Sequence, residues 1–257
     1  MRLGATSCTY PADIPANVER ISGIVDDIEL VLFEVDGYGS NLPSREEIAR
    51  LQALAETHDL TYTVHLQTDL RLVSPDQGDP DISLEQARRI IHLTQELNPW
   101  AYIAHLDGEV LMNHPSAREI LLWQDQARLA LDRVCEWLET PEQLCLENIE
   151  AWNPDAFTPV VEALPISRCV DIGHLWLQKM DPLAHMSEWI DRTRVVHIHG
   201  LAAQDHNSLS HVQQEDLDPV VAFLGKRFQG VVTMEVFSGV DLLESLDAWS
   251  AALRRVD

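Results

Sequence analysis

The chain has 257 residues, 46% of them apolar, and a formal net charge of −24. This length suits one barrel of about 250 residues, with apolar content for a sizeable core, so a single domain over 1–257 is expected. Acidic residues outnumber basic ones by 42 to 18, and Lys179 and Lys226 are the only lysines, which argues against a nucleic-acid partner because such a surface repels a phosphate backbone.

No stretch of about 18 apolar residues is available to cross a membrane. Met1-Arg2-Leu3-Gly4 enters a strand without a leader pattern, so a cytoplasmic protein without a membrane partner is expected. Cys8, Cys135, Cys145 and Cys169 are scattered with no C-x-x-C pair. Neither a disulfide framework nor a structural zinc site follows from that spacing.

Along the chain the apolar pattern switches between strand-like and helix-like periods about eight times. Strands are predicted at 3–6, 28–34, 61–66, 100–106, 144–149, 168–172, 195–199 and 231–237. Most are near-continuous apolar runs, as parallel strands covered on both faces require. Helices are predicted at 44–58, 83–97, 116–138, 155–164, 183–191, 218–228 and 242–254. Ser44-Arg45-Glu46-Glu47 and Ser83-Leu84-Glu85-Gln86 have the form of capping boxes. Eight such alternations with short turns point to an α/β fold, a closed (β/α)8 TIM barrel. An open doubly wound sheet would place a Gly-rich phosphate loop after strand one, where this chain reads Thr6-Ser7-Cys8-Thr9-Tyr10-Pro11. The longest predicted loops, 67–82 and 201–215, both follow strands and so lie on the face where barrels carry their chemistry.

Six of the strand runs end in a residue that can ligate a metal: His65, His105, Glu147, Asp171, His197 and Glu235. A strand-end histidine taken singly is more often a buried donor to a backbone carbonyl. Six such residues at the same end of successive strands instead suggest a cluster of divalent metals at a barrel mouth. Mixed imidazole and carboxylate ligands suit Zn, Mn or Fe better than Ca or Mg. In Asp171-Ile172-Gly173-His174 the glycine permits a sharp turn, and His174 falls in the first helical turn beside Asp171. His197 and His199 share a strand face. His174, Asp205 and His206, or His199, could then form a further metal position or orient the other ligands.

The series His65, His105, Glu147, Asp171-x-x-His174, His197, Asp205-His206 and Glu235 resembles the xylose isomerase-like barrels (AP endonuclease family 2), which include endonuclease IV-type enzymes and sugar isomerases and epimerases. The likeness spans essentially the whole chain. It implies two or three divalent metals: one on His65, His105 and Glu147, a second on Glu147, Asp171, His197 and Glu235, and a third on His174, Asp205 and a nearby histidine. The third departs from the family pattern, which separates its Asp and His by one residue. Residues 2–13, 27–34 and 60–65 further resemble the cobamide-remodelling phosphodiesterases. That resemblance implies hydrolysis of the nucleotide loop to cobinamide phosphate and an α-riboside.

Metal-assisted phosphodiester hydrolysis is therefore expected, with Glu147 bridging, Glu235 beside it, and Glu34, at the end of predicted strand two, orienting water or substrate. The alternative is isomerisation or epimerisation of a sugar or sugar phosphate at one metal, with Glu147 and Glu235 shuttling a proton. His199, Trp152, Trp176 and Phe237 follow strands and are candidate substrate contacts, for a small molecule such as a cobamide or sugar phosphate. Trp123, Trp137, Trp189 and Trp249 fall in helices and are expected to pack helices onto the barrel or to form a homo-oligomer contact. His58, His92 and His185 are expected at helix surfaces or ends.

Overall fold

In the computed structural model, all residues are described except 36–38, 74–79, 203–204 and 257, together with the side chain of Val35. Parts of both predicted long loops therefore lie outside the described residues. In chain order the strands are β1 (Arg2–Thr6), β2 (Asp27–Val31), β3 (Glu34–Val35), β4 (Gly39–Ser40), β5 (Thr61–His65), β6 (Ala101–Ala104), β7 (Leu144–Glu147), β8 (Ser167–Asp171), β9 (Thr193–Ile198) and β10 (Val231–Met234). Eight of them close a barrel in the order β1-β10-β9-β8-β7-β6-β5-β2, and each pair is parallel. The predicted (β/α)8 architecture is the observed one. The register sets Asp171 beside His197 on neighbouring strands, so two predicted ligands meet because the sheet aligns them.

The β2 run is shorter than its apolar sequence suggested. It stops at Val31, and the chain then leaves the barrel for the antiparallel hairpin β3–β4. Likewise β10 ends at Met234, and Glu235 attaches through its N–H to the Ile198 carbonyl at 3.1 Å.

The principal helices are α1 (Ile14–Ile21), α2 (Arg45–His58), α3 (Pro80–Thr94), α4 (Glu109–Met112), α5 (Ala117–Cys135), α6 (Thr158–Ala163), α7 (Ile172–Leu177), α8 (Pro182–Trp189), α9 (Gln214–Arg227) and α10 (Gly239–Val256). Ser44 caps α2 with the reciprocal Glu47 contact of a capping box. Ser83 does not cap α3: that helix begins three residues earlier at Pro80, whose fixed φ suits a first helical position. Ser83 Oγ instead accepts from the Arg71 N–H at 2.8 Å.

Between barrel and helices lies a core that takes in Ile28, Val64, Leu146, Val196 and the wholly buried Trp249. A smaller apolar layer of Ala101, Ile103, Cys145, Cys169 and Val195 forms a second cluster. Each fully buried aliphatic side chain of this kind contributes about 1.5–3 kcal/mol. His185, expected at a helix surface, is buried instead. No helix among the described residues is long and apolar enough to cross a membrane.

Candidate metal centre

Strand ends and the turns just after them bring the titratable groups together at the carboxyl mouth of the barrel. His65 closes β5, and the 2.6 Å contact of its Nδ1 with the Leu66 carbonyl puts the ring proton there. Its Nε2 then faces Glu147 Oε2 at 3.2 Å. From the next strand, His105 Nε2 approaches the same oxygen at 3.0 Å. The other oxygen of Glu147, Oε1, lies 3.1 Å from His197 Nδ1, and Glu235 Oε2 lies 3.1 Å from that same nitrogen. Glu147 thus stands between two sets of ligand atoms, one oxygen to each.

Asp171 ends β8 and caps α7, accepting the His174 N–H at 2.6 Å. Asn148, buried next to Glu147, fixes this corner: its side chain exchanges hydrogen bonds with the Asp171 backbone at 2.8 and 2.9 Å. The carbonyl of Asn148 lies 3.0 Å from His174 Nδ1, placing the proton there, and the Nε2 lone pair points to the mouth, 3.4 Å from Glu150 Oε2. Asp171 Oδ2 is buried with no hydrogen-bond partner among the described residues. Gly173 is needed at its position because a β-carbon there would sit 2.2 Å from the His199 ring.

His199 is wholly buried, with Nε2 3.4 Å from Asp171 Oδ1. Its Nδ1 accepts the His206 N–H at 3.0 Å. His206 reaches that contact with φ 53°, a left-handed conformation costly for a residue with a β-carbon. His206 also stacks on His199 at 4.2 Å and tilts against Phe237 at 5.2 Å. Its two nitrogens face Asp205 Oδ1 at 3.2 Å and Glu235 Oε2 at 3.4 Å.

Among the described residues three ligand groups without cysteine follow, each with its donor atoms within 4.8 Å of one another: His65, His105 and Glu147; Glu147, Asp171, His197 and Glu235; and His174, His199 and His206. Asp205 is not in the third group and stands behind His206 as its ion-pair partner. Cys169 also comes within that distance of Glu147 and His197, but burial drives its thiol pKa well up, so it packs as an apolar group.

The electrostatics match a site built for cations. Burial alone would lower the His65 pKa, but the hydrogen bond and charge of Glu147 outweigh it and carry it up to about 9. His206 is likewise opposed by burial and raised to about 9 by Glu235 and Asp205. Glu147 and Glu235 stay well below the usual carboxylate range, because the facing imidazoles overcome a burial effect of opposite sign. Imidazole nitrogens opposed to carboxylate oxygens in a dry site need a proton or a metal ion between them. Together with the unpartnered Asp171 oxygen, these donors fit a borderline divalent metal.

Glu34 and Trp176 do not reach this mouth. Because β2 stops at Val31, Glu34 lies in the hairpin and pairs with Arg89 of α3. Trp176 is half-buried against the apolar core, one turn into α7. Phe237 does line the mouth cavity of about 290 Å³, which Glu150 and Ile149 also border. Trp152 is buried, edge-on to Trp123 and Phe157; it borders an adjoining chamber of about 220 Å³ that shares His105 with the mouth. His199 lines neither space. The Cys8 thiol is pushed up to about 11 by burial and is no activated nucleophile.

Sequence reasoning missed Asn148 and Glu29. Glu29, wholly buried on β2, lies with Oε2 2.7 Å from His197 Nε2. Its signal was the Asp27-x-Glu29 alternation inside an apolar strand, which turns two acids toward one face.

Among curated proteins none matches the chain by sequence. Solved structures share the fold. A D-tagatose 3-epimerase-like protein superposes with a TM-score of 0.78 at 19% identity, over 100% of this chain and 98% of its own. A 3-keto-D-glucoside 4-epimerase from E. coli gives 0.72 at 16%, over 99% of each chain. Endonuclease IV from Thermus thermophilus gives 0.71 at 15%, over 99% of this chain and 100% of that one. At such identities these likenesses establish the fold alone. The family model of the xylose isomerase-like TIM barrels matches residues 25–256, nearly the whole barrel with its strand-end ligands, and the chain belongs to that family.

Proposed function

We propose that this protein is a metal-dependent phosphodiesterase whose centre is shared at Glu147, and that its substrate is the nucleotide loop of a cobamide. The observation that carries the hydrolase reading is the division of Glu147: Oε2 meets His65 and His105, while Oε1 meets His197. A carboxylate so placed suits two neighbouring cations.

In this reading His65, His105 and Glu147 hold one ion. Glu147, Asp171, His197 and Glu235 hold a second, and His174 with His206 offers a third position, oriented by Asp205. Divalent ions bound there would supply Lewis acidity to the phosphodiester and acidify water. The protein's own part is to keep Glu147 and Glu235 deprotonated, to hold the His65 and His174 ring protons on the side away from the centre, and to exclude solvent. Asn148 pins Asp171 and His174 for that purpose. The half-exposed Phe237 ring at the rim offers a stacking face for a planar base. The acidic surface does not oppose an anionic substrate when the cations provide the local field. The cobamide assignment rests on the amino-terminal resemblance across residues 2–13, 27–34 and 60–65.

A second reading is favoured by the four-ligand set itself, which is complete without His65 and His105. One cation on Glu147, Asp171, His197 and Glu235 could polarise a ketose carbonyl, with the two glutamates exchanging a proton with the adjacent carbon, and of the structural relatives one is named an epimerase and another epimerase-like. Metal-loaded protein incubated with a cobamide and, separately, with a panel of ketoses distinguishes the two. Release of an α-riboside is expected. Ketose epimerisation without cobamide cleavage would replace the first reading with the second.

A further inference from the structure

We infer that Glu29 is a positioning residue for the metal centre, holding His197 in the tautomer that presents Nδ1 as a ligand. This rests on the proposed metal centre and assigns a role to a side chain that lies beneath it. In the sheet, β2 and β9 are separated by β1 and β10, so the Glu29–His197 contact crosses the barrel interior. Both side chains are wholly inaccessible to solvent, and their atoms meet at 2.7 Å.

The direction of that hydrogen bond determines what the other nitrogen can do. A carboxylate only accepts, so His197 Nε2 carries the proton and donates it to Glu29 Oε2. Nδ1 then presents its lone pair toward Glu147 Oε1 and Glu235 Oε2, each 3.1 Å away. Neither of those carboxylates can donate to it, so Nδ1 takes either a second proton or a metal ion, and with Nε2 held by Glu29 it is the nitrogen that a metal ion would occupy.

Among the described residues Glu29 makes no other side-chain hydrogen bond. Its second oxygen, Oε1, is buried without a hydrogen-bond partner among the described residues. An acidic side chain in a dry interior is unfavourable unless compensated, and an apolar residue would fill this part of the barrel at lower cost. The compensation that Glu29 finds is His197. Ligating histidines commonly give their second N–H to a carboxylate in this way, and loss of that partner costs about 10–100-fold in metal affinity.

The test compares wild type with Glu29→Gln, which keeps the volume and removes the charge. Zn²⁺ affinity is measured by competition with a chromophoric chelator, and coordination by the visible spectrum of the Co²⁺-loaded protein. One cation per chain should bind about 10–100-fold more weakly with an altered cobalt spectrum, and the others should bind as in wild type. A mere strut would lower the unfolding temperature of the metal-free variant while leaving the affinity of the folded fraction intact; that result overturns the inference. Independently of any variant, long-range ¹H–¹⁵N correlations on the zinc-loaded wild type should show His197 protonated at Nε2. A proton at Nδ1 would overturn it even if Glu29→Gln failed to fold. Wild type that took up no zinc would instead remove the metal centre itself.

Discussion

Two of the places where this barrel buries charge do so by opposite means. At the mouth, Glu147, Asp171 and Glu235 face imidazoles, which neutralise them when protonated and which form with them groups fit to hold a metal ion. On the flank, Arg168 is 1% exposed and sits in an aromatic cradle, 3.5 Å above the Trp189 ring and 4.8 Å from Phe157. One hydrogen bond to Thr158 Oγ1 at 3.0 Å completes its setting. Burial lowers the Arg168 pKa to about 10, yet the group remains cationic and has nothing to exchange. Charge held by titratable partners is suited to chemistry, whereas charge held by aromatic faces is suited to architecture.

Substitutions should therefore separate the two regions, with the largest effects at the mouth. Glu147→Gln removes the ligand shared by two groups. Loss of partners one shell further out already costs about 10–100-fold, so turnover should fall by more than that and metal content should drop, with the fold intact by circular dichroism. Retained turnover would take Glu147 out of the mechanism. Replacing both His65 and His105 by Ala dismantles only the first group. Phosphodiester cleavage should be lost by about 100-fold or more, whereas an epimerase using the four-ligand set would keep its activity. Assays of both reactions on that one variant decide which reading stands.

The mouth should also couple metal uptake to proton release. In the metal-free protein His65 and His206 each have a pKa near 9, above the ordinary histidine value of about 6.5. These folded-state pKa values are raised, so their stabilising contribution is full below about pH 6.5 and is lost as pH rises through about 9. Zn²⁺ bound at both positions at pH 7.5 must displace those protons, and the pKa values of His197 and His174 are raised as well, so calorimetry in buffers of differing ionisation enthalpy should report release of at least two per chain. Uptake without release would mean that the cation binds elsewhere.

The contrast also explains what could be read from the sequence. The mouth was legible because strand ends are a one-dimensional property: an apolar run followed by His, Glu or Asp marks both an end and a direction. His65, His105, Glu147, Asp171, His197 and Glu235 converge for that reason. Glu34 misled because an apolar run does not reveal where the chain leaves the barrel, and Val31-Leu32-Phe33 looks like a continued strand. Glu29 stayed hidden because its partner His197 lies 168 positions away and across the lumen. The Arg168 cradle was equally unreadable, since Phe157 and Trp189 come from two different connections and meet only in the fold.

The cradle supplies the smallest effects and the sharpest control. Arg168→Ala leaves a cavity and an unfilled aromatic slot, which should lower stability by about 2–4 kcal/mol without changing metal content per folded molecule. Beside it, His185 is 7% exposed with Nε2 unpartnered among the described residues. Burial, reinforced by the Arg168 charge, lowers its pKa to about 4. A folded-state pKa depressed below 6.5 means the unfolded chain binds the extra proton first as pH falls. Stability from this group is therefore intact above about pH 6.5 and declines toward pH 4, by no more than about 3 kcal/mol. His185→Leu should flatten that acid limb in urea titrations at pH 7, 5 and 4 while leaving proton release at the mouth unchanged. An acid limb identical to wild type would show that His185 is not held neutral, and that charge in the cradle is less insulated from solvent than its burial implies.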